Sequence, residues 1–148
     1  MEFDCKGKPN MILNIYTDGG SRNNGAEGES AIGFIVCTQE NKILYEKGQY
    51  IGKGTNNQAE YTALISALKM AKVYNGKEIN CYSDSQLMVK QLLGEYRVKN
   101  PGLRVLFEKV KELEGEFKTV SYTHVKREHN MIVIADSLVN KALDNKGK

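Results

Sequence analysis

The chain has 148 residues, 41% of them apolar and 26% charged, with a net charge of +3. This composition excludes a disordered or fibrous protein, and no apolar run is long enough to cross a membrane as a helix. The mild basicity permits a nucleic-acid partner without demanding one.

In chain order, residues 1–10 (MEFDCKGKPN) read as a short polar lead-in without a signal-peptide pattern, so the expected location is cytoplasmic. Residues 11–17 are a nearly continuous apolar run, as in a strand covered on both faces. Asp18 closes that strand, and Gly19 and Gly20 are expected to stop it. A Gly/Asn/Ser-rich turn follows over residues 21–29, then a strand over 30–38, a tight turn at 39–41 and a partly alternating strand over 42–50. Three strands on short turns predict an antiparallel meander.

Residues 51–57 read as a polar turn, and Asn57 with Glu60 resembles a capping box for a helix running to about Val73. Ala63, Leu64, Ala67, Leu68 and Ala71 give that helix one apolar face, and Asn75-Gly76 ends it. A short strand over 78–83 again ends in an aspartate, Asp84. A helix over about 85–93, a basic connector and a second helix opened by Pro101 and closed by Gly115 come next. A fifth strand over 117–123, a charged loop over 124–130, a last helix and a polar tail after Leu143 complete the chain. The order βββαβααβα predicts an α/β fold of one domain spanning residues 1–148: a mixed sheet with helices on both faces. Cys5, Cys37 and Cys81 are too widely spaced for a zinc site, and the latter two read as small core residues rather than a disulfide.

Four carboxylates stand out. Asp18 and Asp84 each end a buried strand, and on adjacent parallel strands they would share the sheet edge where ligands of open α/β sheets bind. Glu60 lies near the start of a helix that could face that edge, and Asp136 follows the apolar Val133-Ile134-Ala135 on the last helix. Singly, each has a plainer use as a turn former, a cap or a solvated helix residue. Together they would repel unless magnesium or manganese, hard cations that prefer oxygen ligands, lay between them. Two such ions about 3.5–4 Å apart clamp the attacking and leaving oxygens of a phosphodiester.

The segments Tyr16-Thr17-Asp18-Gly19-Gly20-Ser21, Thr55-Asn56-Asn57-Gln58-Ala59-Glu60, Tyr82-Ser83-Asp84-Ser85-Gln86 and Ala135-Asp136-Ser137-Leu138, in this order, resemble ribonuclease H type 1 over nearly the whole chain. The resemblance implies a five-stranded mixed sheet with flanking helices. It also implies a magnesium-dependent endonuclease, with manganese as a substitute, that cuts the RNA strand of an RNA–DNA hybrid to 5′-phosphate and 3′-hydroxyl ends. Asp18, Glu60, Asp84 and Asp136 match its metal-binding carboxylates, two ions being held with substrate. Thr55, Asn56, Asn57, Ser85 and Gln86 match hybrid contacts: Asn56 and Gln86 in the minor groove, Thr55 and Asn57 in a phosphate pocket for the DNA strand. Gly19, Gly20, Ser21 and Asn24 fall on the substrate side of the first acid. A monomer is expected. The alternatives are a non-catalytic nucleic-acid-binding module on the same fold, or a related nuclease with another substrate.

Two departures from the family pattern matter. Residues 94–100 run straight into the Pro101 helix, leaving no room for the basic protrusion of many members, so this resembles the compact form. The loop before the last acid has Ile132 where Asn or Glu is more usual, in an apolar stretch that puts the placement of Asp136 in question. His129 is the candidate for the mobile catalytic histidine of this loop, and His124 reads as structural or a substrate neighbour.

Overall fold

A computed structural model describes residues 11–22 and 28–146. The lead-in with Cys5, most of the first Gly/Asn-rich turn including Asn24, and the last two residues lie outside the described residues.

Nine elements follow in chain order: β1 (Met11–Arg22), β2 (Gly28–Thr38), β3 (Ile43–Gly54), α1 (Asn56–Val73), β4 (Gly76–Ser83), α2 (Gln86–Leu92), α3 (Pro101–Glu114), β5 (Thr119–His124) and α4 (Asn130–Asp144). They build one five-stranded sheet in the order β3-β2-β1-β4-β5. The β3-β2-β1 half is the expected antiparallel meander, and β4 and β5 add in parallel through helical crossovers.

Because strand side chains alternate, β1 serves two cores. Leu13 and Ile15 pack with Ile32, Phe34 and Val36 of β2 under α1, in a cluster that extends to α2 and α3. Tyr16 faces the other way and packs with Ile35, Cys37, Ile132 and Ala135 under α4. Cys37 and Cys81 are buried free thiols. Among the described residues no helix is long and apolar enough to cross a membrane.

Three local expectations are corrected. Gly19 and Gly20 do not stop β1: pairing with β2 continues to Arg22 opposite Glu29. Gly19 instead admits α1: a Cβ there would fall on the Ala59 backbone and the Glu60 nitrogen, whereas one at Gly20 would meet Val139 of α4 only at ordinary contact distance. Likewise β3 runs on to Gly54, because its ladder with β2 extends to Gly28. Finally, the cap of α1 is Thr55 and not Asn57. The Thr55 hydroxyl accepts from the Gln58 N–H at 3.1 Å, and the Thr55 N–H donates to Gln58 Oε1 at 2.9 Å. This capping box uses Gln58 and leaves Glu60 free for other duties.

On the second face, Gly33 of β2 takes the backbone of α4, since a Cβ there would collide with the Ala135 carbonyl oxygen. Gly33→Ala should therefore push α4 off the sheet and lower stability by about 2–3 kcal/mol, typical of overpacking against backbone. A urea unfolding midpoint equal to that of the wild type would show that α4 is not seated this closely.

Candidate metal centre

The site begins with strand register. β1 and β4 are parallel neighbours whose last paired residues are Thr17 and Ser83. The next residue on each strand is an aspartate, so Asp18 and Asp84 emerge side by side at one edge of the sheet. Glu60 reaches the same point from α1, one turn beyond the Thr55 cap, because α1 rests against Gly19. Oxygens of Asp18, Glu60 and Asp84 all lie within 4.8 Å of one another.

Burial makes this arrangement electrostatically severe. Asp18 is 7% exposed and Glu60 9%. Desolvation, then the charge of Asp84, then a hydrogen bond and charge from Asp136 push the Asp18 carboxyl up to about 8, offset in part by the Gly19 N–H. Glu60 is driven well above the usual carboxylate range by burial first and then by Asp18 and Asp84, while the Gly19 N–H and Arg127 pull it down. Glu60 Oε1 is buried without a hydrogen-bond partner. A buried, unpartnered carboxylate oxygen facing two further carboxylates fits a hard divalent cation with oxygen ligands.

Asp136 joins from α4 but differs from the other three. It is exposed and lies outside the close group, yet it lines the same cavity of about 290 Å³, hydrogen-bonds with Asp18, and accepts from Asn140 Nδ2 at 3.2 Å. The apolar stretch before it is seated rather than disruptive: Ile132 is fully buried in the α4 core and Val133 takes the outward position.

The positions expected to meet substrate fall in two groups. Gly19, Gly20, Ser21 and Asn56 line the cavity beside the acids. The Ser21 N–H donates to Asn56 Oδ1 at 2.6 Å, and the Ser21 hydroxyl donates to the Gly54 carbonyl at 2.9 Å. Thr55 and Asn57 flank Asn56, with Asn57 exposed at the start of α1. Ser85 caps α2, accepting from the Met88 N–H at 3.2 Å, and Gln86 is exposed at its first turn. His129 is not among the residues lining the cavity. It caps α4, its Nδ1 accepting from the Met131 N–H at 3.1 Å.

Three polar cavity residues were missed in the sequence. Arg127, whose side chain is 86% exposed, approaches Asp84 Oδ2 to 3.7 Å. Arg22 pairs with Asp144 at 2.6 Å and donates to Asn140 at 3.1 Å. Asn140 sits one helical turn beyond Asp136, a spacing that could have flagged it. No pattern in the sequence marks Arg22, which comes to the rim only because β1 continues past its glycines.

The reverse transcriptase-like family profile matches residues 17–142. The chain is 41% identical to ribonuclease HI of Halobacterium salinarum over 133 residues, covering 90% of this chain and 65% of that protein. It is 38% identical over 135 residues to a bifunctional protein of Mycobacterium tuberculosis, covering 90% of this chain but 36% of the relative. The chain thus spans less than two thirds of these curated relatives. Among solved structures, RNase H1 of Halobacterium salinarum superposes with a TM-score of 0.84 at 41% identity, covering 90% of this chain and 98% of that one. LC11-RNase H1, solved in complex with RNA/DNA hybrid, superposes with a TM-score of 0.82 at 38% identity, covering 89% and 96%.

The raised Asp18 carboxyl has a consequence for stability. A carboxyl that binds its proton more tightly in the folded chain contributes stability that is whole below its unfolded value of 3.8 and is lost as pH rises towards about 8. Thermal melts in chelator should therefore fall across that window, and magnesium should remove most of the slope. Asp18→Asn should be more stable than wild type at pH 8 in chelator, by on the order of 1–3 kcal/mol after allowance for relaxation of the site. A metal-free melting temperature that does not respond to Asp18→Asn would contradict the buried like-charge picture.

Proposed function

The chain belongs to the ribonuclease H type 1 family, and we propose that it is an endonuclease hydrolysing the RNA strand of an RNA–DNA hybrid. The observation that carries this reading is the buried cluster of Asp18, Glu60 and Asp84, whose oxygens lie within 4.8 Å of one another, with Asp136 on the same cavity. A site for neutral ligands has no use for so much desolvated negative charge. A nuclease does, because its substrate is a polyanion that must approach carboxylates through cations.

Asp18, Glu60, Asp84 and Asp136 would hold magnesium, or manganese in its place, and we assign two ions to the site when substrate is present. When bound, such cations supply charge neutralisation at the phosphate and an activated water. The chain's own residues do the remaining work. The Gly19 N–H offsets part of the charge on the Asp18 and Glu60 carboxylates. Arg127 screens Asp84 from the open side. Asn140 steadies Asp136.

Selectivity for the RNA strand calls for groups that read a 2′-hydroxyl, which both donates and accepts. Asn56 on one side of the acids and Gln86 on the other are suited to it, and Ser21 fixes the Asn56 amide by its N–H. Thr55 and Asn57, at the start of α1, offer donors to a phosphate of the DNA strand. None of these contacts depends on base identity, so cutting is expected to be nearly sequence-independent. With no added basic handle, phosphate contacts are few, so binding should fall only shallowly with salt. We assign the chain to act as a monomer on hybrid in the cytoplasm.

The test is cleavage of end-labelled duplexes of one sequence as RNA–DNA, RNA–RNA and DNA–DNA, beside single-stranded RNA, each with magnesium, manganese or chelator. Cutting of the hybrid's RNA strand alone, only with metal, is the expected result. Binding without cutting under either metal would overturn it in favour of a nucleic-acid-binding module. Asp84→Asn should lower the rate on the order of 100-fold or more, beyond the loss typical of a group that merely orients a ligand. Its melting temperature in chelator should stay within a few degrees of wild type, and wild-type cutting by this variant would remove Asp84 from the metal site.

A further inference from the structure

Beneath the acids lies a second layer that the proposed reaction does not use. Tyr16 precedes Asp18 by two residues and Tyr82 precedes Asp84 by two, so each ring shares a sheet face with its acid, one step deeper along the strand. The rings stack, with centroids 4.9 Å apart and planes inclined by 16°. His129 extends the stack onto Tyr16 at 5.3 Å and 29°. Two helical turns separate His129 from Asp136, which returns them to about the same side of α4. The three stacked rings therefore repeat, one layer below, the three elements that carry Asp84, Asp18 and Asp136.

The stack is anchored at its central ring and at one end. Tyr16 is 2% exposed, and its hydroxyl donates to Asn41 Oδ1 at 2.9 Å in the β2–β3 turn. At the α4 end, His129 Nδ1 accepts from the Met131 N–H at 3.1 Å and so defines where α4 starts. Ile132, fully buried with Tyr16, Ile35 and Cys37, locks the first turn behind it. Asp136 has no such burial of its own, so its place opposite Asp18 depends on where α4 begins and how it sits on β1.

We propose that the Tyr82–Tyr16–His129 stack is the spacer that sets the register of α4 on the sheet, making His129 a positioning residue for Asp136. This rests on Asp136 serving as a metal ligand, as proposed above. His129 acts through the helix it caps: its Nδ1 accepts from the Met131 N–H, and it is not among the residues lining the cavity.

The experiment compares the whole chain carrying His129→Ala, His129→Asn or His129→Phe with wild type. Manganese affinity is measured by calorimetry without substrate, and kcat, KM and the pH–rate profile are measured on RNA–DNA hybrid. His129→Ala, lacking both ring and cap, should weaken manganese binding and lower kcat by roughly 10-fold each, the scale for groups that orient a metal ligand. KM and the shape of the pH profile should not change. His129→Asn keeps a capping acceptor and His129→Phe keeps the ring, so each should recover part of both losses. Wild-type manganese affinity in His129→Ala would overturn the proposal. So would loss of one limb of the pH profile at unchanged affinity, restored by added imidazole. Should His129→Ala not fold, wild-type manganese affinity in both of the other variants would overturn it equally. A wild-type chain that binds manganese yet cuts no hybrid would sink the ribonuclease reading while the affinity comparison still decides the role of the stack.

Discussion

Mutual repulsion among desolvated carboxylates is the constraint on which this structure turns. In water, like charges a few ångströms apart interact weakly, but removal from solvent strengthens that interaction and also penalises each charge singly. Asp18 and Glu60 meet both penalties, being nearly buried and within 4.8 Å of each other and of Asp84. Among the described residues, the Gly19 N–H and the more distant Arg127 offset part of these penalties. The rest of the domain must be stable enough to hold them there until a divalent cation relieves the strain. Two apolar cores, one on each side of β1, provide that stability.

Close approach of backbones is what converts a sheet edge into a site. At Gly19 the chain of α1 passes where any side chain would stand, and this carries Glu60 in beside Asp18. Gly33 does the same for α4 on the opposite face, so Ala135 and the adjoining Asp136 reach the sheet. Each helix thus delivers one acid because a glycine on the sheet lets its backbone come close. Substituting the acids would alter the chemistry. Substituting these glycines would move the acids apart with their chemistry intact.

The face of the sheet under α4 is stratified. Acids occupy the layer at the strand ends, aromatic rings the layer beneath, and the polar cap of α4 joins the two. Outside the acids, Arg22, Asn140 and Asp144 form a polar rim that ties the end of β1 to the last turns of α4. The apolar run before Asp136, anomalous as a loop sequence, is ordinary as the first turns of a helix with Ile132 inward and Val133 outward. The helix starts at Asn130, directly after the expected charged loop, so the apolar run lies within its first turns.

Much of this protein was legible from the order of its residues. Apolar runs, turn glycines and helical spacing determined the nine elements and their order, because those signals are local and backbone geometry reads them directly. Two aspartates at the ends of buried strands marked the sheet edge for the same reason. Other features depended on contacts between residues distant in sequence, which no local pattern encodes. Whether Gly19 ended a strand or admitted a helix was decided by where α1 docked, and Thr55 displaced Asn57 as the cap because β3 stayed paired as far as Gly54. Arg22 and Arg127 entered the site only when packing brought their elements beside the acids. The sequence by itself determined which groups carry charge and which strands carry them; the tertiary structure decided which of those charges share a desolvated space, since desolvation is a property of the packed fold and not of any segment within it.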